Sequence, residues 1–243
     1  MRRFDFFSIL MDSIKSIYKN SVLILPSLIL LIFFVFFSWF SLKVNYVLKD
    51  LFSLSAWTIL FSLISLIVIS FFLSGLIGMS FKVIEKKINI FDIFKYGWKF
   101  WLKNFIIILI IILTYNIIRY LAHNLAFYIG TFLNLDVKTA TFIFFLFYFF
   151  GLIGMIIFLT FSNFYLIIGN YGVFKSIKKS FIIVKKNYIY TLIILLLFFV
   201  INNLLNLIQN KLIIEFVNVV IVFPYFSLVL SRFLFEVDKK IGR

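Results

Sequence analysis

The residues best placed to do chemistry are lysines. Lys95, Lys99 and Lys103 stand four apart within FDIFKYGWKFWLKN, residues 91–104. On a helix they form one basic ridge whose like charges repel each other in water. Phe91, Phe94, Trp98 and Trp101 form an aromatic stripe on the neighbouring face. Ammonium groups beside such a stripe suit a membrane surface, with the rings sunk in the headgroup boundary and the lysines meeting acidic phosphates. The design recurs. Phe174, Ile177, Phe181 and Val184 repeat the apolar places, with Lys178, Lys185 and Lys186 as their basic residues, and Phe7, Leu10, Ile14 and Ile17 do so near the N-terminus. Each copy closes on Lys-Asn (19–20, 103–104, 186–187), carries one small residue in register (Ser13, Gly97, Ser180), and runs straight into a long apolar stretch.

Two further sets of polar residues stand out. Asn202, Asn203, Asn206, Gln209 and Asn210 crowd the end of one apolar run. Asn203, Asn206 and Asn210 share a helix face, and Asn202, Asn206 and Asn210 nearly do. Such a seam lines a polar cavity, together with Asn163 of the preceding span, or else solvates a helix end at the surface; both readings stand. Asn116, Arg119 and His123 line another face. They suit anion binding or a gate, but the plainer reading is an amphipathic extension with Arg119 snorkelling.

Much chemistry is excluded. There is no cysteine and one histidine, so thiol nucleophiles and thiolate metal sites are absent, and a metal at His123 has only Asp136 in the same loop to help it. The nine acids fall in loops or at the ends of apolar runs, which counts against a proton- or sodium-coupled carrier. No Gly-rich phosphate loop occurs. We therefore expect no enzyme, no cofactor and no metal.

The elements that position these residues are membrane spans. Of 243 residues, 64% are hydrophobic and 22% aromatic, and mean hydropathy is +1.16, beyond the range of soluble domains. Six stretches are long enough to cross a bilayer, at roughly 21–42, 54–80, 104–127, 139–169, 188–208 and 211–235. The expected fold is all-α: a polytopic membrane protein of six transmembrane helices with three interfacial amphipathic helices, in one domain of three parallel units, 1–84, 85–170 and 171–243. The fourth span exceeds a bilayer's thickness and is expected to tilt, bend or project, with a bend at Gly151 and Gly154. Pro224 predicts a kink in the sixth. The second span, rich in serine and glycine, reads as a helix-packing span.

Lys and Arg are distributed unevenly. Of 24, only Lys43, Lys49, Arg119, Lys138 and Lys211 fall on one side of this topology; the other 19 fall on the side of both termini. That side is therefore expected to be cytoplasmic. The net charge of +15 then reflects orientation and attraction to anionic lipid headgroups, with no nucleic acid involved. Heavy use of Ile, Phe, Lys and Asn suggests an AT-rich prokaryotic genome, hence a prokaryotic cell membrane.

The stretch GVFKSIKKSFIIVKKNYIYTLIILLL, with Gly172, Ser180, Phe181 and Asn187, and Pro224 further on, resembles the six-span membrane domain attached to some glycerophosphodiester phosphodiesterases and related stand-alone prokaryotic integral membrane proteins. The resemblance implies architecture only. The acids and histidines of the phosphodiesterase catalytic domain have no counterpart here, so that activity does not carry over. Two functions fit the sequence: a non-catalytic membrane scaffold or partner of another membrane complex, and a permease or channel-like transporter of lipid or small neutral or anionic solutes.

Overall fold

A computed structural model describes residues 6–47, 54–208 and 210–240. Lys49 and Gln209 lie outside the described residues, as do Arg2, Arg3 and Arg243 among the other 19 basic residues and Asp5 and Asp50 among the nine acids. The elements are helical throughout: α1 (Phe6–Lys19), a 3-10 turn (Ser21–Ile24), α2 (Leu25–Val47), α3 (Leu54–Glu85), α4 (Phe91–Phe132), α5 (Val137–Leu159), α6 (Ser162–Ile168), α7 (Val173–Lys186), α8 (Tyr188–Leu205), α9 (Lys211–Val217), a π turn (Asn218–Val222) and α10 (Phe223–Lys240). Among the described residues, six stretches are long and apolar enough to cross a membrane: Ser21–Ser41, Ile59–Glu85, Phe91–Phe132, Val137–Ile168, Tyr188–Leu205 and Lys211–Asp238. Helices suit this setting because each satisfies its own backbone polar groups. The chain is an all-α, multi-pass membrane protein.

Six crossings return the chain to its starting side. There α1 packs on α10, and Arg232 Nη2 donates to Ser16 Oγ at 2.5 Å. At this basic end the spans converge on a dense core. Phe100, Phe161 and Phe233 are fully buried, the last two stacked at 5.6 Å, and Ile9 of α1 and Ile183 and Val184 of α7 join the same cluster. Leu23, Met79, Ile93 and Leu228 form a second cluster. The far halves of the spans carry exposed apolar residues such as Val35, Phe36, Phe145, Phe149, Phe199 and Ile213, as expected of surfaces bathed in lipid.

Two features differ from the sequence reading, and the disturbance expected from Pro224 falls in the turn before it. The second amphipathic segment is not a separate helix. It belongs to α4, which runs unbroken for 42 residues, about 63 Å. The fourth span bends at Thr160–Phe161, between α5 and α6, not at Gly151 and Gly154. Gly151 instead admits a neighbour, since a Cβ there would lie 2.5 Å from Ile118 Cγ2 of α4. At the true break the Thr160 hydroxyl donates back to the Ile156 carbonyl, which also accepts from the Thr160 N–H. In the sixth span the disturbance precedes Pro224. Five residues widen into a π turn, and the Phe223 N–H donates to the Asn218 carbonyl.

Candidate functional site

The three amphipathic segments are helical and present the same positions inward. Ser13, Gly97 and Ser180 are buried, and so are Ile9, Ile93 and Ser176 one turn earlier. Small residues let helix backbones approach closely. A Cβ on Gly97 would lie 2.8 Å from the Phe71 ring tip of α3. Ser180 Oγ reaches the Phe158 carbonyl of α5 at 2.5 Å, and Ser13 Oγ bonds back to the Ile9 carbonyl at 2.7 Å.

The aromatic stripe therefore faces out. Phe7, Phe91 and Phe174 occupy equivalent places and are 71%, 71% and 82% exposed. Phe94, Trp98 and Phe181 are also exposed, and Trp101 is half-buried. Two of these rings still rest on neighbouring spans, Phe94 beside Phe71 at 6.2 Å and Phe181 stacked on Phe158 at 4.8 Å. Lys95, Lys99, Lys103, Lys178, Lys185 and Lys186 are all exposed. Lys99 Nζ lies 4.9 Å from the Phe100 ring centroid. Lys175 and Lys179 lie over the Tyr171 ring, at 4.8 and 5.8 Å.

The repeated Lys-Asn closes two segments alike and the third differently. Asn20 (φ −133°) and Asn187 (φ −129°) break the chain between an amphipathic helix and the next element. Their amides bond back to the Ser16 and Ile183 carbonyls. Asn104 is fully buried, and its Nδ2 crosses to the Ser70 carbonyl of α3 at 3.0 Å. That carbonyl also accepts from Ser74 Oγ at 2.7 Å. With Gly75 and Gly78 set against Ile93 and Tyr96, α3 and α4 pack tightly along this stretch.

Sequence reasoning missed two features of this end. Asp92 is buried in the first turn of α4, where both oxygens accept from Lys82 Nζ at 2.8 Å and one accepts from the Asn89 N–H at 2.7 Å. An acid opening a helix and a lysine in the last turn of the helix before it are a legible signal. The second is a buried serine near the end of the second, fourth and sixth spans: Ser80, Ser162 and Ser231. Ser80 Oγ meets Ser227 Oγ at 3.1 Å. The triplets Ser-Phe-Lys, Ser-Asn-Phe and Ser-Arg-Phe at those positions carried the hint.

The asparagines of the polar seam serve their own hairpin. Asn202 and Asn203 donate to the Phe198 and Phe199 carbonyls one turn back. Asn206 is exposed just past α8. Asn210 caps α9, accepting from the Leu212 and Ile213 N–H groups at 3.1 and 3.3 Å. Asn163 lies apart from them in α6, its Oδ1 buried without a partner among the described residues. Open grooves of about 800, 600 and 580 Å³ lie at the far end of the α4–α5 hairpin and one of about 480 Å³ lies along the middle of α5, and none includes these asparagines. No group of three or more metal-ligating side chains occurs among the described residues. Comparison of the chain with protein-family models, with curated proteins and with solved structures returned no match.

Proposed function

We propose that this protein is a non-catalytic membrane scaffold, or the partner of another membrane complex, whose basic end is a cytoplasmic collar held against acidic headgroups. The observation that carries this reading is the filling of the basic end. Phe100, Phe161 and Phe233 are fully buried where three spans meet, and a conduit through that point has to displace them. Around this plug, aromatic residues and lysines face outward together, as a headgroup-binding surface requires. Lys95, Lys99, Lys103, Lys178, Lys185 and Lys186 meet lipid phosphates, while Phe91, Phe94, Trp98, Trp101, Phe174 and Phe181 seat the collar. The three amphipathic segments, with matching buried positions, read as one unit repeated, in keeping with the resemblance to stand-alone six-span membrane domains.

A second reading, a permease for lipid or small neutral or anionic solutes, draws on Asn163 and Asn218. Their Oδ1 atoms are buried without partners among the described residues, and Asn218 opens the π turn, a feature often found at functional sites. The test pairs two measurements. Thermal stability of the wild type and of K95Q/K99Q/K103Q is compared in neutral and anionic nanodiscs. Each collar lysine contributes on the order of 1 kcal/mol of salt-screened attraction, so the variant, which neutralises three of the six, should lose about half of the anionic-lipid stabilisation. Solute release from proteoliposomes should not exceed that from empty vesicles; release above that background favours the permease.

A further inference from the structure

Arg119 lies in α4 fifteen residues beyond Asn104, about 22 Å along the helix. Asn104 marks the level at which the other two copies turn from amphipathic helix towards their spans. A hydrocarbon core is about 30 Å thick, so Arg119 falls short of the far boundary, and any tilt of α4 sinks it deeper. A guanidinium at that depth reaches towards the far headgroups, where an anionic partner suits it best. The ion pairs among the described residues are Lys15–Asp12, Lys82–Asp92 and Lys211–Glu215, and none involves Arg119. The residue opens instead into a groove of about 580 Å³ with Asn116, Tyr120, His123 and Phe144. The His123 ring stands edge-on to Phe144 at 6.3 Å, and Phe144 stacks on Tyr148 at 5.6 Å. The exposed rings of Phe145, Phe149 and Phe150 line an apolar trough of about 480 Å³ further along α5.

We propose that Arg119, with Asn116, Tyr120 and His123, binds the phosphodiester of a lipid in the leaflet opposite the basic end, whose acyl chains descend along the aromatic face of α5. The guanidinium fork matches two phosphate oxygens. The Tyr120 hydroxyl and the His123 ring add donors. Asn116 spends its Nδ2 on the Ile112 carbonyl and orients the first turn of the site. The inference is independent of the collar, since the two sites lie at opposite ends of the molecule.

Detergent-purified protein is titrated with phosphatidylglycerol, with diacylglycerol of the same chains and with inorganic phosphate, and retained ligand is counted by native mass spectrometry. Wild type should retain one phosphatidylglycerol more than R119Q and bind it at least about tenfold more tightly, as expected for a charge-assisted pair. R119K, which keeps the charge and loses the fork, should fall between. K95Q/K99Q/K103Q should keep that lipid. Equal retention by R119Q overturns the proposal, as does loss of the lipid in the collar variant. Diacylglycerol binding as well as phosphatidylglycerol reduces the site to its apolar trough, and inorganic phosphate binding as well makes it a free-anion site; either overturns the proposal. If R119Q does not fold, R119K and the three ligands on wild type decide the matter.

Discussion

The pentapeptide Gly-Leu-Ile-Gly-Met occurs at 75–79 and at 151–155, and its second glycine offers a controlled test of helix packing. Gly78 lies against the root of the Tyr96 side chain, and a Cβ there would sit 2.6 Å from Tyr96 Cβ. Tyr96 cannot swing away at its root, so G78A forces α3 and α4 apart. Overpacking of this kind costs about 1–3 kcal/mol. Gly154 has nothing within 4 Å of a Cβ. G154A therefore adds no clash and gains the helix propensity of alanine, up to about 1 kcal/mol. Both glycines sit inside helices with identical neighbours in sequence, so the propensity gain cancels in the comparison. The difference isolates packing: G78A should be less stable than G154A by about 1–3 kcal/mol, roughly 5- to 150-fold in the unfolding equilibrium. Reversible unfolding in mixed detergent micelles, followed by fluorescence of the four tryptophans, measures it. Equal stabilities, or a more harmful G154A, would refute the assignment of α3–α4 as the tight pair.

Other outcomes follow from the same geometry. N104L removes the bridge to the Ser70 carbonyl and should destabilise by about 1 kcal/mol, near the measured range for hydrogen bonds between membrane helices. N187A loses only a bond within its own chain turn and should cost less in the same unfolding assay. D92N leaves Lys82 half-buried without its partner; because Lys82 keeps some solvent, a loss of about 1–3 kcal/mol is expected, below that of a fully buried pair. A double-mutant cycle with K82M should recover part of it. Single cysteines at positions 136 and 210 should label from outside intact cells and those at 90 and 178 should not. The reverse pattern inverts the proposed topology.

Hydropathy determined the crossings. The six spans and the three amphipathic segments are legible because burying backbone and apolar side chains in lipid is a local property of each stretch. Even the small residue in register, Ser13, Gly97 or Ser180, was visible as a pattern. What each would meet was not. In lipid a phenylalanine is as well placed against acyl chains as against a neighbouring helix. The aromatic stripe showed its outward face, but not that Gly97 would meet the Phe71 ring and Ser180 the Phe158 carbonyl on the inner side. Nor could Lys-Asn reveal that Asn20 and Asn187 end helices while Asn104 lies within one. That depends on whether a carbonyl such as that of Ser70 stands opposite. Gly-Leu-Ile-Gly-Met states the division most plainly. Its five residues determine a helix in both places, but only the tertiary structure places Tyr96 over Gly78 and leaves Gly154 open. Close approach is a property of two surfaces, and each stretch of sequence describes one.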